Sequence, residues 1–273
     1  MQSNNPVLTS LERSESRGGY RVGYGEPTSP MQNSPMGYQG SRPITVDDIV
    51  SKTGITLGVI VLFAAINFAL VPILGTAGPT MLLTFVGAIG GLVTVLISTF
   101  GKKYGSAAVT LAYAVFEGLF LGGFSGMVAG FDLVGNGTDA GVLIGQAILG
   151  TFGVFAGMLY VYKSGAVKVT PKMRRIVTAM LFGVLALVLG NLIGSIFFGF
   201  NPLRDGGMIA IIFSLAVIAL GAFTLLMDFD SADQMVRAGA PAEYAWGIAL
   251  GLAVSIVWLY TEILRFLSYF NRS

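Results

Sequence analysis

Two acidic side chains and one arginine inside long apolar runs are the first candidates for chemistry in this chain. Glu117 lies near the middle of one run, in Ala112-Tyr113-Ala114-Val115-Phe116-Glu117-Gly118. Glu262 and Arg265 lie one helical turn apart in the last run. An ionisable group at mid-membrane costs at least about 2.5 kcal/mol and normally faces a partner or water. These three residues therefore need an explanation beyond packing.

Glu117 is expected to be neutral or paired, because burial disfavours the ionised form of a carboxyl group. Arg265 is the candidate partner, and the sequence hypothesis is an intramembrane ion pair between the two. An alternative for Glu262 and Arg265 is that both are interfacial residues whose side chains extend to the membrane surface. Ser255 lies two turns before Glu262 on the same helical face, which predicts a polar seam on the last helix.

An acidic segment, Met227-Asp228-Phe229-Asp230-Ser231-Ala232-Asp233, follows the sixth apolar run. Hard cations such as calcium prefer clustered carboxylates. The spacing is not that of an EF-hand, since Asp233 stands where the loop glycine is expected. We interpret Asp233 as a solvated loop residue and expect Asp228 and Asp230, which adjoin the apolar run, to face a cavity. No metal site is predicted.

The composition excludes several classes of function. Only 11% of the 273 residues are charged, against about 25% in soluble domains, and the net charge of +2 argues against nucleic-acid binding. The chain has no histidine and no cysteine, so zinc hydrolysis and Cys–His or Ser–His catalysis are excluded. Asp205-Gly206-Gly207 is not the Gly-x-Gly-Asp of intramembrane aspartyl proteases. We expect neither an enzyme nor a cofactor.

The apolar runs predict an all-α polytopic membrane bundle with about seven transmembrane helices, because each is near the ~20 residues that cross a bilayer. Lipid offers no partner for free backbone groups, and the alternating pattern of a barrel strand is missing. Residues 1–44, rich in Gly, Ser, Pro and Tyr, predict a disordered cytoplasmic tail before a membrane domain at 45–273. Thr45 is expected to cap the first helix, with Asp48 at its third position. The predicted spans are 54–74, 79–100, 105–130, 140–162, 175–200, 207–228 and 243–269.

Lysine and arginine lie mainly on one side of these spans, which by the positive-inside rule puts the N-terminus in the cytoplasm. Arg265 and Arg272 draw the C-terminus to the same side, although seven crossings place it outside. A re-entrant sixth or seventh segment is one resolution. The residues on the basic side are Arg42, Lys52, Lys102, Lys103, Lys163, Lys168, Lys172, Arg174, Arg175 and Arg237.

Small residues recur every four positions, as they do where membrane helices approach closely. We expect close packing at these positions, and a last helix held tightly by its neighbours. The sets are Gly118, Gly122, Gly126 and Gly130; Gly247, Gly251 and Ser255; and the pairs Gly87/Gly91, Gly153/Gly157 and Gly190/Gly194.

The assembled pattern resembles the Bax inhibitor family, including its bacterial YccA-like and YetJ-like members, over roughly residues 50–270. The resemblance rests on the helix count and on two motif regions. The sixth run ends in Leu226-Met227-Asp228, and the last run contains Ala249-Leu250-Gly251-Leu252 followed by Ile263-Leu264-Arg265-Phe266. It implies seven helices with the last one central and, in several members, a calcium leak sensitive to pH.

In those members the resemblance implies two aspartates, one ending the sixth helix and one within the seventh, that share a proton and close the pore. Asp228, or Asp230 two residues on, matches the first aspartate, and the second position is Ser255. Serine can donate a hydrogen bond but cannot share that proton, which puts pH gating in doubt. Arg265 stands at the family's arginine position.

Two functions follow as expectations. The first is a passive cation leak, of the calcium type, with Asp228, Asp230, Ser255 and Glu262 as pathway or gating residues. The second is a non-conducting regulator that binds other membrane proteins, such as a quality-control protease. The expected partners are therefore the lipid bilayer together with a cation or a membrane protein, and the expected location is the plasma membrane.

Overall fold

Seven long helices make up nearly all of the computed structural model, which describes residues 42–101, 103–130, 140–199 and 201–271. Each is long and apolar enough to cross a membrane. The predicted all-α polytopic fold is confirmed. The helices are α1 (Val46–Leu74), α2 (Gly78–Phe100), α3 (Ala107–Ala129), α4 (Ala140–Ser164), α5 (Pro171–Phe198), α6 (Met208–Arg237) and α7 (Tyr244–Asn271).

The first helix begins at its predicted cap. The Thr45 hydroxyl accepts a hydrogen bond from the Asp48 amide, and the Asp48 carboxylate accepts one from the Thr45 amide at 3.0 Å. This reciprocal capping starts α1 at Val46, about two turns before the predicted membrane span at 54–74. Most of the tail predicted to be disordered, residues 1–41, lies outside the described residues.

The sixth helix continues about three turns beyond its predicted end, so the acidic segment is helical and not a loop. Gln234 donates to Asp230 at 2.7 Å, and Arg237 pairs with Asp233 at 2.9 Å, both one turn apart. Such pairs support a helix after its apolar run has ended. Both α6 and α7 are continuous helices, of 30 and 28 residues, and each is long enough to cross a membrane.

The last helix is the core of the bundle. In its most apolar stretch 78% of the residues are buried, against 6% in α5. It packs against α1, α3, α4 and α6, whereas α5 packs on α6. The expectation of a central last helix is confirmed.

Glycine spacing predicts close packing correctly in α3 and wrongly in α4 and α5. A methyl group added at Gly118 would lie 2.6 Å from the Ile60 carbonyl oxygen, so α1 and α3 touch through their backbones. The space beside Gly153, Gly157 and Gly190 is open to at least 4 Å. Four-residue spacing therefore permits close approach, but a helix must also be surrounded by neighbours to use it.

The segment before α1, the α2–α3 connection and the α6–α7 connection meet on one face of the bundle. The Ile44 amide donates to the Ala240 carbonyl at 2.8 Å. The ring of Tyr104 packs edge-on against Tyr244, with centroids 5.5 Å apart. The end of α4 joins them, because Tyr162 donates a hydrogen bond to the last turns of α6. We call this surface the basic face, since Arg42, Lys103, Lys163 and Arg237 lie in or beside these segments.

Candidate functional site

The seam between α6 and α7 brings two sets of polar side chains into contact. Near the basic face, the Ser255 hydroxyl donates a hydrogen bond to Asp228 Oδ2 at 2.5 Å. Ser255 is 5% exposed, and Asp228 is half-buried. Within the described residues no lysine or arginine forms an ion pair with Asp228. This aspartate–serine pair (Asp228 and Ser255) therefore holds an uncompensated carboxyl group.

Asp230 faces away from this pair, because two residues along a helix turn the side chain by about 200°. Its carboxylate contacts the guanidinium of Arg174 on α5 and accepts from Gln234. The sequence expectation treated Asp228 and Asp230 alike, and the structure separates them. Asp230 instead joins α6 to α5.

Tyr104 borders the aspartate–serine pair from the α2–α3 connection. Burial, followed by the negative charge of Asp228, raises the pKa of Tyr104 to about 12. The phenol is therefore a neutral hydrogen-bonding group throughout the physiological range. Its ring also fills the space beside Gly247, where a methyl group would lie 2.6 Å from the ring.

At the opposite end of the seam, Glu262 accepts hydrogen bonds from two side chains. Ser214 donates to its Oε1 at 2.6 Å, and Arg265 donates to its Oε2 at 2.8 Å. The guanidinium of Arg265 also lies 5.3 Å from the centre of the Phe124 ring, a distance for cation–π attraction. We call Ser214, Glu262 and Arg265 the arginine cluster. Its charges are buried and mutually compensated.

The predicted ion pair between Glu117 and Arg265 does not form. Arg265 pairs with Glu262, three residues away on the same helix, and the side chains of the pair are only 14% and 6% exposed. Adjacent turns of one helix hold the two groups together without any requirement on helix packing. The interfacial alternative is wrong for Glu262, which is 4% exposed.

Arg204, in the α5–α6 connection, adds positive charge near the arginine cluster. Burial, and next the positive charge of Arg265, lowers the pKa of Arg204, while the charge of Glu262 opposes that change. The two ends of the seam therefore differ in sign. One presents a carboxylate that pairs with no cation in the described part of the chain, and the other holds a carboxylate among arginines.

An apolar layer of Gly221, Leu225, Ile256 and Leu259 lies between the two polar sets. Leu225 is fully buried, Leu259 is 1% exposed and Ile256 is 7% exposed. A methyl group at Gly221 would lie 2.5 Å from a methyl carbon of Leu259, so the helices are in direct contact at this level. The seam is closed here.

Several polar contacts could not be predicted from the sequence because the two residues of each contact are distant in the chain. Ser214 is 48 residues from Glu262, and Arg174 is 56 residues from Asp230. Asn67 is fully buried and donates to the Leu119 carbonyl at 2.6 Å, which links α1 to α3. The available signal was a strongly polar side chain within an apolar run, and Asn67 fits it.

In the part of the chain that the structure describes, no three Asp or Glu side chains are close enough to hold a metal ion together. One hydrated cation could interact with Asp228 at the basic face without being stripped of its water, since a single carboxylate is a weak calcium site.

Comparison with known proteins places the whole described domain in one group. A family model described as Bax inhibitor 1 like matches residues 5–272. Comparison with curated proteins gives no match.

Proposed function

Because the chain belongs to the Bax inhibitor 1 like family, we propose that it is a passive cation leak of the calcium type whose pathway follows the seam between α6 and α7. The observation that carries the proposal is Asp228, a half-buried carboxyl group that contacts a serine and forms no ion pair with any described residue. A carboxylate of this kind attracts cations towards a pathway without holding them permanently.

The apolar layer accounts for a closed state of this pathway. A constriction lined by leucine side chains excludes water and ions until neighbouring helices separate. The buried arginine cluster lies beyond it and opposes cation passage by its positive charge. Glu262 then contributes to gating because it holds Arg265 in place. It is not primarily a ligand of the ion.

Gating by a shared proton is not part of the proposal. Two carboxylates in contact can share one proton and switch with pH, but Ser255 offers only a hydroxyl donor. We propose instead that opening depends on movement of α6 against α7. The contact between Gly221 and Leu259 is the point at which that movement must begin.

The basic face is proposed to be cytoplasmic, in the plasma membrane. Lysine and arginine concentrate on cytoplasmic connections of membrane proteins, and the connections that meet on this face carry most of these residues. Asp228 would then face the cytoplasmic side of the pathway, and the arginine cluster the outer side.

Purified protein in liposomes that enclose a calcium indicator tests the leak. We expect calcium entry in the wild type, loss of most of it in Asp228→Asn, and no change in Asp47→Asn. Asp47 is an exposed aspartate of the first turn of α1 and serves as the matched control. Leu259→Ala, which thins the apolar layer, should increase entry. Absence of entry in both the wild type and Leu259→Ala would contradict the proposal.

A non-conducting regulator is the second candidate, and the exposure of α5 favours it. Val177 is the only buried residue that α5 contributes among its 28, so most of this helix is free to pack against another membrane protein. Protein that shows no flux at any pH, yet is captured by a partner through α5, would support this function. We propose no catalytic activity for either candidate.

A further inference from the structure

A cavity between α2, α3 and α7 surrounds Glu117. It is separate from the α6–α7 seam. Its volume is about 390 Å³, within the range of small-molecule sites. Tyr113, Phe120 and Trp258 supply aromatic walls, and Thr261 and Glu117 supply the polar groups. Most of the remaining lining is aliphatic.

The carboxyl group of Glu117 has no hydrogen-bond or ion-pair partner among the described residues, although its surroundings are largely apolar. Tyr113, one turn away, is 2% exposed, and no partner for its hydroxyl occurs in the described part of the chain. An ionisable group at such a depth ordinarily has a partner. The cavity therefore presents an acceptor and aromatic faces that no described residue occupies.

The depth of Glu117 identifies the route by which a ligand reaches it. Glu117 is the eleventh of the 23 residues of α3, so it lies about 15 Å from either end of the helix. A lipid headgroup at the membrane surface is too far away. Leu92, at the rim, is 62% exposed to the surrounding membrane. A ligand would therefore enter sideways from the hydrocarbon.

We propose that this cavity binds an organic cation that dissolves in the membrane, namely an amine or quaternary ammonium compound with an apolar body. Its positive nitrogen meets the Glu117 carboxylate, and the faces of Tyr113, Phe120 and Trp258 stabilise it by cation–π attraction. The aliphatic lining takes up the apolar body. This site is independent of the proposed leak and uses none of its residues.

Tryptophan fluorescence gives a direct test, because the chain has two tryptophans and only Trp258 lines the cavity. In a Trp246→Phe background, Trp258 is the sole indole. The full chain in lipid nanodiscs is titrated with trimethyl(4-phenylbutyl)ammonium and with its neutral isostere, in which carbon replaces the charged nitrogen. We expect a saturable change with the cation and a weaker response to the isostere.

Two substitutions separate charge recognition from simple filling of an apolar groove. Glu117→Gln should weaken cation binding about tenfold or more while leaving isostere binding unchanged, which also shows that the cavity remains folded. Gly91→Ala places a methyl group 2.8 Å from Glu117 Oε2 and should weaken cation binding by displacing the carboxyl group. Asp47→Asn, at an exposed aspartate outside the cavity, is the control and should bind normally.

Two results would overturn the proposal. Equal binding of cation and isostere by the wild type and by Glu117→Gln would reduce the cavity to an apolar groove. A Trp258 signal that does not saturate with either compound would mean that no site exists. Neither result bears on calcium entry, so failure here is distinguishable from failure of the leak.

Discussion

The two ends of the α6–α7 seam each contain a carboxyl group and a serine, but their surroundings differ. At one end Glu262 is 4% exposed and is joined to both Ser214 and Arg265. At the other, Asp228 is half-buried, and among the described residues its carboxyl group accepts a hydrogen bond only from Ser255. The arginine cluster is thus a closed electrostatic unit, whereas the aspartate–serine pair retains capacity for another partner.

This difference indicates that the arginine cluster stabilises the fold, whereas the aspartate–serine pair can interact with another partner. A buried ion pair becomes strongly destabilising when one partner is removed, because the other is left charged and unsolvated. A half-buried carboxyl group can be hydrated instead, so its loss costs little stability. Stability measurements should therefore identify the arginine cluster, and flux measurements should identify Asp228.

The largest effect is expected for Arg265→Met, which leaves Glu262 buried without its cation. We expect a loss of about 3–5 kcal/mol in the free energy of unfolding, measured by denaturant titration in detergent micelles. Adding Glu262→Leu should recover a large part of that loss. Equal stability of the single and double variants would contradict the pairing.

Glu117 provides the control for this comparison of single and double variants, because the sequence predicts it as the partner of Arg265. The losses of Glu117→Gln and Arg265→Met should add to within about 0.5 kcal/mol, as for residues without contact. Strong coupling between them would show that Arg265 changes partners in the membrane.

Sequence reasoning succeeded for the fold because seven apolar runs leave a membrane chain few alternatives. It also placed Ser255 and Asp228 together, although only through the family resemblance. It could not decide which of two carboxylates Arg265 would bind, because that choice depends on side-chain direction. Nor could it distinguish Gly118, packed against α1, from Gly190, which faces open space.

The next largest effect is a difference in the free energy of unfolding between variants of the two serines. Ser214→Ala removes a hydrogen bond to a buried carboxylate and should cost about 1.5–3 kcal/mol, the range for bonds to charged groups. Ser255→Ala should cost less, because water can reach half-buried Asp228. Unfolding of both variants under one condition measures the difference, and an equal or reversed order would remove the distinction between the two ends.

Ser255→Asp tests the same pair by making it resemble the two-aspartate arrangement of the family. Two carboxylates in contact cannot both ionise cheaply, so the variant should retain one shared proton. We expect calcium entry that depends on pH between about 5 and 8, with less entry at acid pH, when the shared proton holds the helices together. Entry through the variant should change with pH more steeply than entry through the wild type, and matching profiles would reject this explanation.

The smallest effect is expected at Asp230, which the sequence ranked with Asp228. Its ion pair with Arg174 is partly exposed, with side chains 18% and 39% accessible, and exposed pairs contribute about 0–1 kcal/mol. Asp230→Asn should therefore reduce stability by less than about 1 kcal/mol and leave calcium entry intact in the liposome assay. Because Asp228→Asn should also retain stability but lose entry, the two substitutions form a matched pair on one helix. Loss of entry in Asp230→Asn would extend the pathway towards α5 and away from the seam.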